Sequence, residues 1–215
     1  MKIKFEENLE YQLDAINSIT DIFSGQEIAK TVFTVEKTNN PQLSMTINEN
    51  ELGAGNKLSL LPEDVLKNLK YIQTRNGLPK TEVSEEDMYN FSVEMETGTG
   101  KTYVYLRTIL ELYKEYGLKK FMIVVPSVPI LKGVKKSIEQ LREHFLEIEG
   151  IDITKYSFTY DSGKLNAMFY GLIENDDLSI CVMNVQAFNK DTTRIRKEDE
   201  RGRILWNDIK AIRPI

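Results

Sequence analysis

The octapeptide METGTGKT, Met95–Thr102, constrains this chain more than any other stretch. It follows the phosphate-cradling pattern G-x-x-x-x-G-K-[ST] everywhere except the first position, where methionine stands in place of glycine. The physical requirement is narrower than the pattern. Successive backbone N–H groups must turn inward around an anion, a helix must begin immediately afterwards, a lysine must reach the outer phosphates, and a hydroxyl must be placed for Mg²⁺. Gly98 and Gly100 supply unobstructed backbone, Lys101 the ammonium, and Thr102 the hydroxyl at the helix start. A side chain at position 95 that turned back into the core would leave that arrangement intact. The plain alternative is a glycine-rich turn that happens to precede a helix. Against it stand the intact T-G-T-G-K-T run and its context of expected strand before and helix after.

That context comes from periodicity. Phe91, Val93 and Met95 alternate with Ser92 and Glu94, which predicts a strand entering the loop. Leu106, Ile109, Leu110 and Tyr113 then mark one stripe of a helix ending at Gly117. The continuous apolar run FMIVV predicts a strand covered on both faces, followed by Pro126, Ser127 and a helix striped by Ile130, Val134, Ile138, Leu141 and Phe145. A third unit comprises the strand YSFTY, a short helix around Leu165–Ile173, the strand LSICVMN and a brief helical VQAF. Alternating strands and helices imply a parallel sheet with right-handed crossovers, and ligands then gather at the strands' carboxyl ends. Met95–Thr102, Pro126–Ser127 and Asn184–Gln186 are all expected at such ends.

Upstream, Leu9, Leu13, Ile16, Ile19, Ile22 and Phe23 recur at helical spacing up to Gly25, with Gln12 on the same inward side as Ile16, Ile19 and Phe23. Residues 27–87 change character, with a strand-like TVFTV, a turn-rich polar stretch and a helix from Pro62 to about Arg75, and read as an insertion. The expected organisation is therefore an N-terminal helical segment over 1–26, the insertion over 27–87, and a nucleotide-binding core over 88–215.

Composition narrows the chemistry. The single Cys181 lies in an apolar run and reads as a buried reduced thiol, and the single His144 leaves no zinc cluster and no serine–histidine triad to build. A net charge of −5 argues against binding nucleic acid by bulk positive potential, though not against local contacts. Basic residues gather at Lys132, Lys135, Lys136 and Arg142, and again from Lys190 to Arg203, where interleaved acids make a solvated linker an equal reading. Glu94 and Glu96, on opposite strand faces, read as exposed or loop-bound carboxylates rather than a catalytic pair. No apolar run approaches the ~20 residues needed to span a bilayer, and the first residues lack the apolar segment of a signal peptide, so no membrane role and a cytoplasmic location are expected.

Taken together, these motifs resemble the first RecA-like motor domain of a superfamily-2 helicase or translocase, whose P-loop, or Walker A motif, commonly reads A-x-T-G-x-G-K-T. On that pattern Met95 replaces an alanine, and Thr97, Gly98, Gly100, Lys101 and Thr102 all match. The stretches METGTGKTYVYLR, VVPSVPILKGV and VMNVQAFNKD further resemble the Res subunit of type III restriction–modification enzymes, over about residues 5–25 and 88–191. The resemblance implies an α/β fold: a P-loop NTPase (RecA-like) α/β/α arrangement of three layers with a mainly parallel sheet, truncated, plus an inserted α+β segment.

It also implies roles. Gln12 would be the Q-motif glutamine reading adenine, or else a glutamine merely bordering the core. Thr97, Gly98, Thr99, Gly100, Lys101 and Thr102 would hold ATP, with Lys101 stabilising charge on the transferred phosphoryl and Thr102 meeting Mg²⁺ through the nucleotide. Pro126 and Ser127 would touch the DNA backbone as motif Ia, with Ser127 also a candidate helix cap; Asn184 and Gln186 would form the next DNA-facing segment, or simply a cap and a turn. The implied partners are double-stranded DNA and a methyltransferase (Mod) subunit, and the implied activity is an ATP-dependent restriction endonuclease. The family's D-E-x-x carboxylates lie on the next strand, expected to begin about where the sequence ends at IKAIRPI, so that motif is expected to lie outside this chain and the 215 residues to bind nucleotide with negligible turnover. Three alternatives stay open: another superfamily-2 DNA or RNA helicase, a non-hydrolysing nucleotide-gated DNA-binding scaffold, and a small-molecule P-loop kinase, which would normally carry its loop near the amino terminus.

Overall fold

A computed structural model describes residues 6–28, 55–82, 89–164, 170–190, 192–198 and 204–215. The expected strand TVFTV and the first five residues of the expected Leu165–Ile173 helix lie outside the described residues. The chain divides into two compact units, one made of the segment up to Ala29 with Leu58–Gly117, the other of the segment ending at Lys57 with Leu118–Ile215.

The first unit is helical. Helix α1 (Glu10–Thr20) continues into a 3₁₀ turn (Asp21–Phe23), α2 spans Pro62–Arg75, and α3 spans Lys101–Tyr116. Pro62 sits in the first turn of α2, where its missing N–H removes no intrahelical bond, and Glu63 and Asp64 favour the positive helix end. The apolar stripe read from the sequence places α1 against α3, with Ala15, Ile16 and Val104 buried together. Asn68 ties α2 to the 3₁₀ turn by donating to the carbonyls of Ile22 (3.0 Å) and Ser24 (2.9 Å). Arg75 meets Asp21 at 2.5 Å, and the rings of Phe23 and Tyr116 lie 6.1 Å apart.

The second unit holds the sheet. Strands β1 (Lys120–Val125), β2 (Ser157–Thr159) and β3 (Ser179–Asn184) are ordered β1-β3-β2, and both pairings are parallel. Helix α4 (Val128–Glu149) and the short α5 (Ile153–Tyr156) connect β1 to β2, and α4 lies against β1 and β3. Alternation along β3 sends Cys181 and Met183 into a cluster with Leu172, Ile173, Ile195 and the buried face of helix α6 (Leu205–Ala211). Ile180 and Val182, equally buried, are left for the α4 side. Helices on both faces of a parallel sheet are the α/β arrangement the sequence predicts.

Polar groups fix the amino end of β1. Asn56 is buried, and its side chain donates to the carbonyls of Lys120 (2.7 Å) and Arg213 (3.1 Å) while accepting from the N–H groups of Lys119 (2.8 Å) and Lys120 (3.0 Å). A residue from the predicted insertion is therefore built into the sheet's frame. Lys120 is fully buried; its ammonium donates to the carbonyls of Asn175 and Asp177 and to the Ser179 hydroxyl, and burial pulls its pKa down to about 8. On the other side of β1, the Met122 N–H donates to Ile215 O (2.8 Å) and the Ile215 N–H to Lys120 O (3.0 Å), which is the bonding pattern of a parallel partner.

Three expectations are corrected. Residues 91–96 form no strand: the alternation of Phe91, Val93 and Met95 is real, but a strand needs a partner's ladder, and among the described residues this stretch has none. Ile130 is exposed, so the buried stripe of α4 begins at Val134. Val124 is also exposed, so β1 is not covered along its whole length on both faces. Cys181 is buried, as expected, and its thiol is pushed up to about 12 by burial.

Candidate functional site

The Met95–Thr102 loop is shaped by its glycines. Gly98 and Gly100 have φ of 83° and 88°, the left-handed region that residues with a Cβ avoid. Among the described residues, its two chain neighbours aside, no atom lies within 4 Å of where a Cβ on Gly98 would stand, so the turn is open on that side. Thr99 stiffens the turn by donating from its hydroxyl to Glu96 O (2.7 Å). Helix α3 begins directly at Lys101, with Gly100 as its N-cap and no side chain capping it. Its first amides are thus available to an anion, which the helix dipole favours. Lys101 is exposed and Thr102 half-buried at that end.

Met95 answers the question its identity raises. Its side chain packs against Ala15, Ile16 and Val104, turned into the core and away from the turn. Glu94 and Glu96 are exposed, as expected. Tyr103 is buried and receives a hydrogen bond from Arg107 (3.3 Å). Tyr105 is half-buried, and burial raises its pKa while a hydrogen bond with the Thr102 side chain opposes that shift.

Gln12 is brought to the loop across 87 positions of sequence. Its Nε2 donates to Thr99 O at 2.8 Å, and the residue is buried. The same nitrogen lies 2.5 Å from where a Cβ on Gly100 would stand, so the glycine leaves room for the glutamine. Gln12, Thr99 and Gly100 thus form one contact, with Thr97, Gly98, Lys101 and Thr102 contiguous to it. A cleft of about 1180 Å³ in the same unit is lined by Tyr11, Asp14, Ser18, Phe91, Glu96 and Thr99 among others, but not by Lys101 or Thr102; it runs beside the amide turn rather than through it.

The other four predicted residues belong to the sheet's carboxyl edge. Val125 pairs with Asn184 in the β1–β3 register, so Pro126 and Ser127 leave one strand beside the point where Asn184, Val185 and Gln186 leave the next. Ser127 is the extended N-cap residue of α4, at φ −151° and ψ 160°, yet makes no side-chain capping bond. Val185–Ala187 forms a 3₁₀ turn with Gln186 exposed. A cleft of about 790 Å³ opens at this edge, lined by Asn184 and Gln186 together with Lys135, Lys164 and Arg194. The three cations were not singled out as site residues in the sequence. Lys135 and Arg194 lay inside the two basic clusters, and Lys164 carried no signal.

A family model described as "Type III restriction enzyme, res subunit" matches residues 6–206. The chain belongs to that family. Among its relatives are the EcoPI Res subunit of Escherichia phage P1, 30% identical over 155 residues (71% of this chain), and the EcoP15I Res subunit of Escherichia coli, 31% identical over 143 residues (65%). The StyLTI Res subunit of Salmonella typhimurium is 42% identical over 89 residues, 38% of this chain. The matched parts are 14%, 13% and 9% of these relatives, so the chain spans a small part of their length. Membership of the Res family agrees with the resemblance read from METGTGKTYVYLR, VVPSVPILKGV and VMNVQAFNKD, and with the parallel α/β sheet. Among the described residues no helix is long and apolar enough to cross a membrane, and no group of His, Cys, Asp and Glu is arranged to hold a metal ion.

Proposed function

We propose that this chain is the part of an ATP-dependent type III restriction endonuclease Res subunit that captures ATP and meets the DNA backbone. The observation that carries the reading is the loop itself: two left-handed glycines lead into an uncapped sixteen-residue helix, with Lys101 and Thr102 in its first turn. The residues present fit a polyphosphate, since the turn is open at Gly98 and the anion's charge would be met by backbone amides, the helix end and Lys101. ATP with Mg²⁺ would supply the phosphoryl group whose transfer powers movement on DNA. Thr102 offers the hydroxyl for the Mg²⁺ side. Gln12, whose Nε2 donates to Thr99 O, would couple adenine recognition to the shape of the turn. Pro126, Ser127, Asn184 and Gln186 present a small hydroxyl, a helix start and two amide side chains along one sheet edge, chemistry suited to phosphodiester contacts.

The partners proposed for the whole protein are double-stranded DNA and the Mod methyltransferase subunit, acting in the cytoplasm. The 215 residues by themselves are proposed to bind nucleotide without turnover, because an oriented water, the metal-binding carboxylates and a second domain's arginine are further requirements of phosphoryl transfer. The test is titration of the intact protein with a fluorescent ATP analogue in the presence of Mg²⁺. Lys101→Ala removes a charge-assisted interaction of ~1.5–3 kcal/mol and is expected to weaken binding by roughly tenfold to a hundredfold or more. Unchanged affinity in Lys101→Ala would remove the loop from the site. Multiple-turnover hydrolysis by the 215-residue chain, abolished by the same substitution, would overturn the claim that it captures without turnover.

A further inference from the structure

The cleft at the carboxyl edge of β2 and β3 carries more positive charge than the residues assigned to DNA explain. Lys135 projects from α4, Lys164 from the turn after β2, and Arg194 from the 3₁₀ turn Arg194–Arg196. The chain as a whole is acidic, at −5, yet among the described residues the one acidic residue lining this cleft is Asp161. Its Oδ1 accepts from the Gly163 N–H at 2.8 Å, which fixes the carboxylate without neutralising it, and three cations against this one anion leave the described lining net positive. Arg194 is braced, donating to Ser162 O at 2.9 Å, which fixes its guanidinium without neutralising it. Neither Lys135 nor Lys164 is ion-paired among the described residues. Two free ammonium groups and a braced guanidinium therefore face a hollow that also presents the side chains of Asn184 and Gln186.

We propose that Lys135, Lys164 and Arg194 form a track for consecutive phosphates of one nucleic-acid strand, extending the contact made at Asn184 and Gln186. The proposal rests on the reading that this sheet edge meets DNA, and adds to it the groups that supply the affinity. Amides and hydroxyls fix register on a backbone, whereas cations supply the salt-dependent part of the binding energy by releasing counterions. Contacts from cations to phosphates carry no base information, so the part of the affinity supplied by Lys135, Lys164 and Arg194 is indifferent to sequence. Each lysine that neutralises a phosphate contributes about 0.9 to the slope of log affinity against log salt on duplex DNA, and about 0.7 on a single strand.

The test is fluorescence anisotropy of labelled duplex and single-stranded oligonucleotides with the intact protein across a salt series, comparing wild type with the double variant Lys135→Gln/Lys164→Gln. Both lysines are exposed, so the fold should hold, and Lys135→Arg/Lys164→Arg, which keeps the charge, controls for any loss of structure. The expected result is a slope shallower by about 1.8 on duplex or about 1.4 on single strand, equal for oligonucleotides of unrelated sequence, with the arginine pair retaining the wild-type slope and ATP-analogue affinity unchanged. Wild-type binding with the same slope in the glutamine pair would overturn the track while leaving the DNA reading of this edge standing. A wild type that binds neither oligonucleotide would overturn the DNA reading itself. Loss confined to one oligonucleotide sequence would overturn the proposal in favour of base recognition.

Discussion

The Met95–Thr102 loop and the carboxyl edge of the sheet are built in opposite ways. The loop is eight consecutive residues whose shape comes from backbone: two glycines at φ 83° and 88°, amides at the start of a helix, and a single exposed lysine. The edge is assembled from α4, the turn after β2, the end of β3 and the Arg194–Arg196 turn, and its character comes from side chains. A site made of backbone is sensitive to one added methyl group and indifferent to most charges nearby. A site made of side chains is sensitive to charge and to the frame that gathers its segments. The two should therefore fail in different ways.

The largest effect is expected where the edge's frame is attacked. Phe145 is fully buried on the stripe that sets α4 against β1 and β3, and α4 is the element that carries both Ser127 at its start and Lys135. Phe145→Ala should lower stability by about 3–5 kcal/mol through lost burial and the cavity left behind, read as a shift in the urea midpoint. A change below ~1 kcal/mol would mean that α4 does not hold the edge together. The loop's counterpart is Gly100→Ala, which leaves every charge in place. A Cβ there must accept φ +88° and meet Gln12 Nε2 at 2.5 Å; the glutamine can shift, but the left-handed backbone costs ~1–2 kcal/mol. ATP-analogue affinity should fall by roughly fivefold to thirtyfold with Lys101 intact. An unaffected affinity would show that the turn's shape is not what binds, and the contrast between the two sites would collapse.

The same contrast explains what the sequence disclosed. Backbone-built function is written contiguously, so Gly98, Gly100, Lys101 and Thr102 could be named together, and Met95 could be sent inward, where it packs on Ala15, Ile16 and Val104. Gln12 could be placed on the buried side of its helix, but its bond to Thr99 O spans 87 positions and no periodicity could have supplied it. The two longer strands were legible as dense apolar runs, and the register Val125↔Asn184 turned two separate motif guesses into one edge. The alternation at 91–95 misled because periodicity reports which side of a strand is apolar, not whether a partner is present to bond it. Lys135, Lys164 and Arg194 were the least legible, since charge on a solvated helix or turn looks the same whether or not topology aims it at a shared cleft.

Ser127 offers the smallest effect and the finest discrimination. A serine at a helix N-cap normally accepts a hydrogen bond from the first turn, and its replacement by alanine costs ~1 kcal/mol. Here the backbone is in the N-cap conformation, but the side chain makes no capping bond, so that stabilisation is absent and the hydroxyl is left for another partner. Ser127→Ala should therefore change the urea midpoint by no more than ~0.5 kcal/mol while weakening DNA by up to ~tenfold, the value of one hydrogen bond. Because a neutral hydroxyl releases no counterion, the salt slope should stay as in wild type, in contrast to the lysine pair. A stability loss near 1 kcal/mol with DNA affinity unchanged would return Ser127 to a purely capping role and leave the edge's contact to Asn184, Gln186 and the cations.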